Sequence, residues 1–274
     1  MSMLSSKMPA PLVTREHGSW AVLLVPILAS LGVVGKWNAD LLWFALCALA
    51  VFLCYIPAQR LLRHWGGALI GDEKLREAKV WGGAYGIAAV ALVALLLSRG
   101  YWGLLPIGAT GGFFFALNFC LVKARGKSQF SDLAAVAGLT LTGLGSYEIL
   151  EGSVDARGLA LYVVNVLFFG CGVFYVHMQM RATSLKNGPA GWKAKLSVAR
   201  DNLLYHSVVV VVVGILFIVG SVPPVFLLAF APMVLYAVYG SVRLSGRAQY
   251  KKVGLALLGL SLLFAFLLSC GTWV

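Results

Sequence analysis

Long apolar runs alternate with short polar joints along the whole chain. Nine runs approach or reach the roughly 20 residues that an α-helix needs to cross a bilayer. They are Gly18–Gly35, Ala39–Leu62, Val80–Ser98, Tyr101–Val122, Leu133–Leu150, Leu159–Met180, Leu203–Gly220, Val222–Val242 and Val253–Cys270. Most joints carry a helix breaker or a charge, as at Gly35-Lys36, Arg99-Gly100, Gly152 and Pro223-Pro224. The pattern predicts an all-α, polytopic membrane protein with about nine transmembrane helices. Residues 1–14 are polar and Pro-containing, and no small-residue cleavage site follows the first apolar run closely. They read as a mobile N-terminal tail rather than a signal peptide, and 15–274 as a single transmembrane helical domain. The longest polar stretch, Arg181 to Asp201, predicts a structured loop or a short interfacial helix.

Composition strengthens this reading. Of 274 residues, 60% are hydrophobic and only 12% charged, and the mean hydropathy is +0.88. Such a chain is no water-soluble domain. Charge then suggests an orientation. With the N-terminus inside, 19 of the 22 Lys and Arg residues fall in inner segments, leaving Lys36, Arg99 and Arg157 outside. The positive-inside rule asks only for a bias. The split predicts a cytoplasmic N-terminus and, after an odd number of crossings, an external C-terminus. The net charge of +12 is therefore topological, suited to anionic lipid headgroups, and implies no nucleic-acid partner.

Cys47, Cys54, Cys120, Cys171 and Cys270 all lie in apolar runs without a C-x-x-C pair, and read as small packing residues. Gly82-Gly83, Gly111-Gly112, Gly138, Gly143 and Gly145 suit close helix approach better than phosphate binding. No phosphate-binding loop or dinucleotide fingerprint occurs, so no cofactor is expected.

The polar residues are unevenly placed. All four histidines fall near predicted inner ends: His17 opens the first segment, His64 ends the second, His177 is late in the sixth and His206 early in the seventh. Near them in the pattern stand Glu16, Arg60, Asn118, Lys123, Gln129, Asp132, Arg181, Asp201 and Asn202. An ionisable group within a span is costly unless it faces water or a partner. One shared inner-side polar cavity would account for several of these residues at once; separate snorkelling to the interface is the alternative. No two histidines share a helix at i, i+4 spacing, and no metal site is expected. The opening stretch Arg15-Glu16-His17-Gly18-Ser19-Trp20 is the densest polar group. It reads either as a helix cap with an interfacial Trp or as part of that cavity.

This opening, running into Ala21 with Pro26 following, resembles the YwiC-like integral membrane proteins, whose hallmark is a Glu/Gln-His-Gly-Ala/Ser-Trp start. The number of spans and the inner loops after the second, fourth and sixth also resemble the UbiA-type intramembrane prenyltransferases. The turn Lys123-Ala124-Arg125-Gly126-Lys127-Ser128-Gln129 is similar to that family's Lys-Arg turn before a Gln and a Gly-rich helix. That resemblance implies a prenyltransferase-like helical bundle. The family's Asp-rich motifs, which hold Mg²⁺ on a prenyl diphosphate, are missing. The second segment ends Gln59-Arg60-Leu61-Leu62-Arg63-His64 and the sixth His177-Met178-Gln179-Met180-Arg181, both without a carboxylate. Glu73 and Glu77 alternate with Lys74, Arg76 and Lys79, which reads as a solvated, ion-paired helix.

Two functions are expected from these residues. In the first, a membrane enzyme acts without Mg²⁺ on an isoprenoid or other amphipathic anionic substrate. Glu16, His17, His177 and His206 would be the catalytic groups. Trp20, Arg60, His64, Asn118, Lys123, Asp132, Arg181 and Asp201 would bind substrate. The second is a non-enzymatic lipid-binding, anion-binding or transport protein, hinted at by breaks that Pro26, Pro106 and Pro232 would introduce into helices. Together with the YwiC-like resemblance, the membrane pattern implies the bacterial plasma (inner) membrane.

Overall fold

The structure, a computed structural model, describes residues 10–14, 17–185, 188–247 and 249–271, and within these the side chain of His17 is not described. Among the described residues all regular structure is helical. The helices are α1 (His17–Val34), α2 (Asp40–Leu53), α3 (Tyr55–Trp65), α4 (Asp72–Ser98), α5 (Leu104–Arg125), α6 (Gln129–Glu151), α7 (Ala156–Ser184), α8 (Gly191–Ile218), α9 (Val225–Val242) and α10 (Tyr250–Ser269). A turn at Cys54 separates α2 from α3, and together they form one apolar stretch, Asp40–Trp65. Among the described residues there are thus eight helices long and apolar enough to cross a membrane, plus the shorter Gly18–Val34. The expected tail, residues 1–14, lies outside the described residues except for 10–14, which are non-helical.

Two helices start well before their apolar runs. α4 begins at Asp72 instead of Val80, and α8 at Gly191 instead of Leu203. In α8 the polar stretch carries Trp192, Leu196, Ala199 and Leu203 at steps of four, three and four, one face of a helix. Hydropathy registers only the part in the hydrocarbon, whereas backbone hydrogen bonding continues through the amphipathic part. What was expected as a loop or short interfacial helix is therefore largely the first turns of α8. The prolines behave differently from expectation too. Pro26 and Pro232 lie inside α1 and α9 without ending them, and Pro106 stands in the first turn of α5, where its missing N–H costs nothing.

The chain divides into two compact units, Leu42–Gly100 and His17–Leu41 with Tyr101–Val274. In the first, α3 packs on α4: a Cβ at Gly82 would lie 3.1 Å from the Pro57 Cβ. Arg60 of α3 binds Glu77 of α4 at 2.8 Å, so the partner of Glu77 is a cation of the neighbouring helix.

In the second unit α6 is the axis. It packs against α1, α5 and α7, while α10 lies on α1 and α9. Lipid is as apolar as Leu, so helix association rests on close packing and interhelical hydrogen bonds. Both occur between α1 and α6. A Cβ at Gly143 would meet the Pro26 Cβ at 3.0 Å, Ser30 Oγ donates to Gly143 O at 2.8 Å, and Thr142 Oγ1 to Leu23 O at 2.8 Å. Phe168 of α7, Phe230 of α9 and Phe264 of α10 fill the far side, with Phe168 and Phe264 stacked at 3.8 Å between ring centroids.

Candidate functional site

α5, α7 and α9 end, and α6, α8 and α10 begin, at the cation-rich end of this larger unit. The start of α6 is fixed by its own sequence. Ser128 and Ser131 cap it reciprocally: Ser128 N donates to Ser131 Oγ at 2.9 Å and Ser131 N to Ser128 Oγ at 3.3 Å. Asn118 of α5, buried, donates from Nδ2 to Ser131 O at 2.7 Å, tying the end of α5 to the start of α6. Asn118 therefore positions the helix ends. Gln129 and Asp132 sit on this first turn, where a carboxylate also complements the positive end of the helix dipole.

Across from them, α7 presents His177 and, one turn on, Arg181. His177 Nε2 lies 2.8 Å from Asp132 Oδ2, and the two side chains keep 16% and 25% of their surface. The pair is sheltered yet reachable. Arg181 is held from two sides, by Asp201 of α8 and by Gln129 Oε1 at 3.3 Å. Arg200 Nε reaches the other Asp201 oxygen at 3.2 Å. Three helices thus converge through a carboxylate–imidazole pair and, one turn farther out, a carboxylate held by two guanidiniums. With an ionised Asp132 accepting from Nε2–H, the imidazole is oriented and Nδ1 is left as its proton-accepting nitrogen.

His206 belongs to a different polar thread. It is buried on α8, its Nδ1 bonds Asn202 O at 2.8 Å, and Nε2 meets no partner among the described residues. Asn202 Nδ2 donates to Ser241 Oγ at 3.2 Å, and Ser241 to Ala237 O at 2.8 Å. No hydrogen bond among the described residues links this thread to the Asp132–His177 pair.

The remaining expected residues are distributed as follows. Lys123 is exposed on the last turn of α5, and Trp20 is half-buried on the first turn of α1. Arg60 and His64 lie in the smaller unit, Arg60 paired with Glu77 and His64 exposed on α3. Glu16 lies outside the described residues, as does the side chain of His17. Of the three cations expected to bind an anionic substrate, Arg60, Lys123 and Arg181, both guanidiniums face carboxylates. Among the described residues no three His, Cys, Asp or Glu side chains converge as a metal site would require. Two features escaped the sequence reading. The Ser128-x-x-Ser131 cap was legible as a start signal before an apolar run. The Thr183–Tyr250 hydroxyl pair at 2.7 Å, which ties α7 to α10, had no signal in either stretch.

Residues 13–147, from just before α1 to near the end of α6, match the model of the YwiC-like protein family. An uncharacterized protein of Haemophilus influenzae is 25% identical over 265 residues, covering 95% of this chain and 98% of its own. No solved structure matches the chain. Asp132 lies inside the family stretch, while His177, Arg181 and Asp201 lie beyond it and within the span shared with the relative's length. Over residues 13–147, through its opening motif and most of α6, the chain is similar to the YwiC-like family, and with its series of long apolar helices it is an integral membrane protein.

Proposed function

We propose that this protein is an enzyme of the bilayer that transfers a proton on an amphipathic, isoprenoid-type or other lipid-like substrate, with Asp132 and His177 as the working pair. The carrying observation is their 2.8 Å contact at partial exposure. A carboxylate that fixes an imidazole, placed near a helix end where lipid tails meet headgroups, is an arrangement for acid–base chemistry. The groups around it are nearly charge-balanced, because Asp201 offsets Arg181. An anionic headgroup would be met by the cations that no carboxylate holds among the described residues, Lys123 foremost. A prenyltransferase-like reaction fits the amphipathic substrate, but no Asp-rich motif is available to hold Mg²⁺ against a diphosphate. The reaction is therefore expected to be metal-independent. We further assign the cation-rich face to the cytoplasm of a bacterial inner membrane, with the C-terminus outside.

Binding or transport without chemistry is the second reading. The buried, unpartnered His206 Nε2 favours it, since a polar thread inside a bundle can line a solute path. The uninterrupted passage of α1 and α9 through Pro26 and Pro232 does not. Lipid profiles of cells producing wild type, His177→Ala or Asp132→Asn separate the two. The enzyme reading expects at least one lipid species that forms with wild type and falls about 100-fold or more with either variant, at equal protein levels. Identical profiles for all three would discard it.

A further inference from the structure

A second feature of the same face points to a lipid site that does not depend on the Asp132–His177 pair. A cleft of about 80 Å³ lies between the start of α8 and the end of α9. Its walls are Trp192, Leu196 and Leu203 on one side and Val238 and Val242 on the other, with Ser241 as the polar lining residue. Ser241 is already satisfied: its hydroxyl donates to Ala237 O and accepts from Asn202 Nδ2. The cleft therefore offers an apolar wall, with room for a stretch of acyl chain and not for a headgroup. Trp192 is 64% exposed on the first turn of α8, the position at which an indole sits at headgroup level.

Two cations flank the residue that closes the cleft. Lys195 Nζ crosses from α8 to donate to Val242 O at 2.9 Å, leaving two further ammonium protons. Arg243 follows Val242 directly, its guanidinium 5.1 Å above the Tyr239 ring. Elsewhere, Lys36, Arg60, Arg181 and Arg200 face carboxylates. Among the described residues Lys195 and Arg243 form no ion pair. An apolar slot with the Lys195 ammonium on Val242 and Arg243 next in the chain, neither ion-paired among the described residues, is complementary to one kind of molecule, an acyl chain joined to an anion.

We propose that the α8–α9 cleft binds one anionic phospholipid of the surrounding leaflet, one acyl chain lying between Leu196 and Val238 and the phosphate held by Lys195 and Arg243. Lys195 alone has a simpler use, capping the carbonyl end of α9. The test must therefore read headgroup preference rather than stability. Native mass spectrometry of the purified full chain, titrated with equal amounts of phosphatidylglycerol and phosphatidylcholine, provides that reading. Wild type should retain one phosphatidylglycerol about tenfold better than phosphatidylcholine, as expected for two cations near an anionic headgroup. Lys195→Ala combined with Arg243→Ala should abolish the preference. Leu203→Trp, which fills the cleft and leaves both cations, should remove the bound lipid. His177→Ala should leave it in place. A wild type that does not discriminate, or a cleft-filled variant that retains the lipid, overturns the proposal. So does a His177→Ala protein that loses it, because the lipid would then sit at the other site. Should the double variant fail to fold, the wild-type preference and Leu203→Trp decide.

Discussion

At the scale of single residues, the structure depends on small groups where helices touch. Gly143 is one such place. The Cβ of any other residue would stand 3.0 Å from the Pro26 Cβ and 3.3 Å from its carbonyl oxygen, and α1 has no slack there because Ser30 and Thr142 bond across the same interface. Gly143→Val should therefore cost about 1–3 kcal/mol through overpacking, seen as a lower melting temperature in detergent; an unchanged Tm would mean that α1 does not press on α6. Pairing is also decided at this scale. That Asp132, His177, Arg181 and Asp201 share one side was legible from their places at predicted helix ends. Which of them touch was not, because a contact between two helices depends on their rotation about their own axes, and a hydropathy pattern carries no phase between separate helices. The same gap made Arg60 and Arg181 read as binders of an anionic substrate, when each holds a carboxylate.

At the scale of elements, helix ends carry most of the specific polar chemistry. Asp155 caps α7: its side chain accepts from Gly158 N at 2.9 Å. Burial alone would raise its carboxyl, but the Gly158 amide, the Tyr147 hydroxyl and the Arg157 charge outweigh that and hold it below the usual carboxylate range. A carboxyl whose folded-state value is depressed adds stability above its unfolded value and loses it as pH falls through the folded one. Asp155→Ala should thus destabilise by about 1 kcal/mol at neutral pH. The gap from wild type should close on acidification below the ordinary Asp range. Thermal unfolding of both proteins at pH 7 and near pH 3 checks this; a gap that persists in acid would assign the effect to packing. Element existence was largely legible: each of the nine apolar runs falls on helix, eight of them long and apolar enough to cross and Gly18–Val34 shorter. Boundaries were less so, and for a consistent reason: at α4 and α8 an amphipathic extension continues the helix beyond the apolar stretch. The break at Cys54, three residues before Pro57, left only a proline as its trace in a run that is apolar on both sides.

For the whole molecule, the charge distribution together with the nine crossings expected from the apolar runs, eight on long spans and one on the shorter Gly18–Val34, leads to one expectation. A phosphatase fused after Val274 should be active outside the cell, whereas a fluorescent protein fused there should stay dark; the opposite pair of results would reverse the orientation. Such an orientation places the Asp132–His177 pair and the α8–α9 cleft on the cytoplasmic side, within reach of the same leaflet. The two units, Leu42–Gly100 and the remainder, differ in what they contribute. The smaller holds its charges in a helix pair closed by Arg60 and Glu77, while the larger contains the carboxylate–imidazole pair and every described residue bonded to it.

α6 has a consequence for how the chain is made. It is the least apolar of the eight long spans and also the most buried, because its surface is given over to Gly, Ser and Thr that serve its neighbours rather than lipid. Emerging alone from the ribosome into a translocation channel, such a segment gains little by leaving sideways into the bilayer. Its partners α1 and α5 precede it in the chain, but α7 does not. Membrane integration of α6 is therefore expected to wait, held at the channel or against α1 and α5, until α7 has been synthesised. A nascent chain arrested where α6 has left the ribosome and α7 has not should remain crosslinkable to the channel through α6, and one long enough for α7 to have emerged as well should be released.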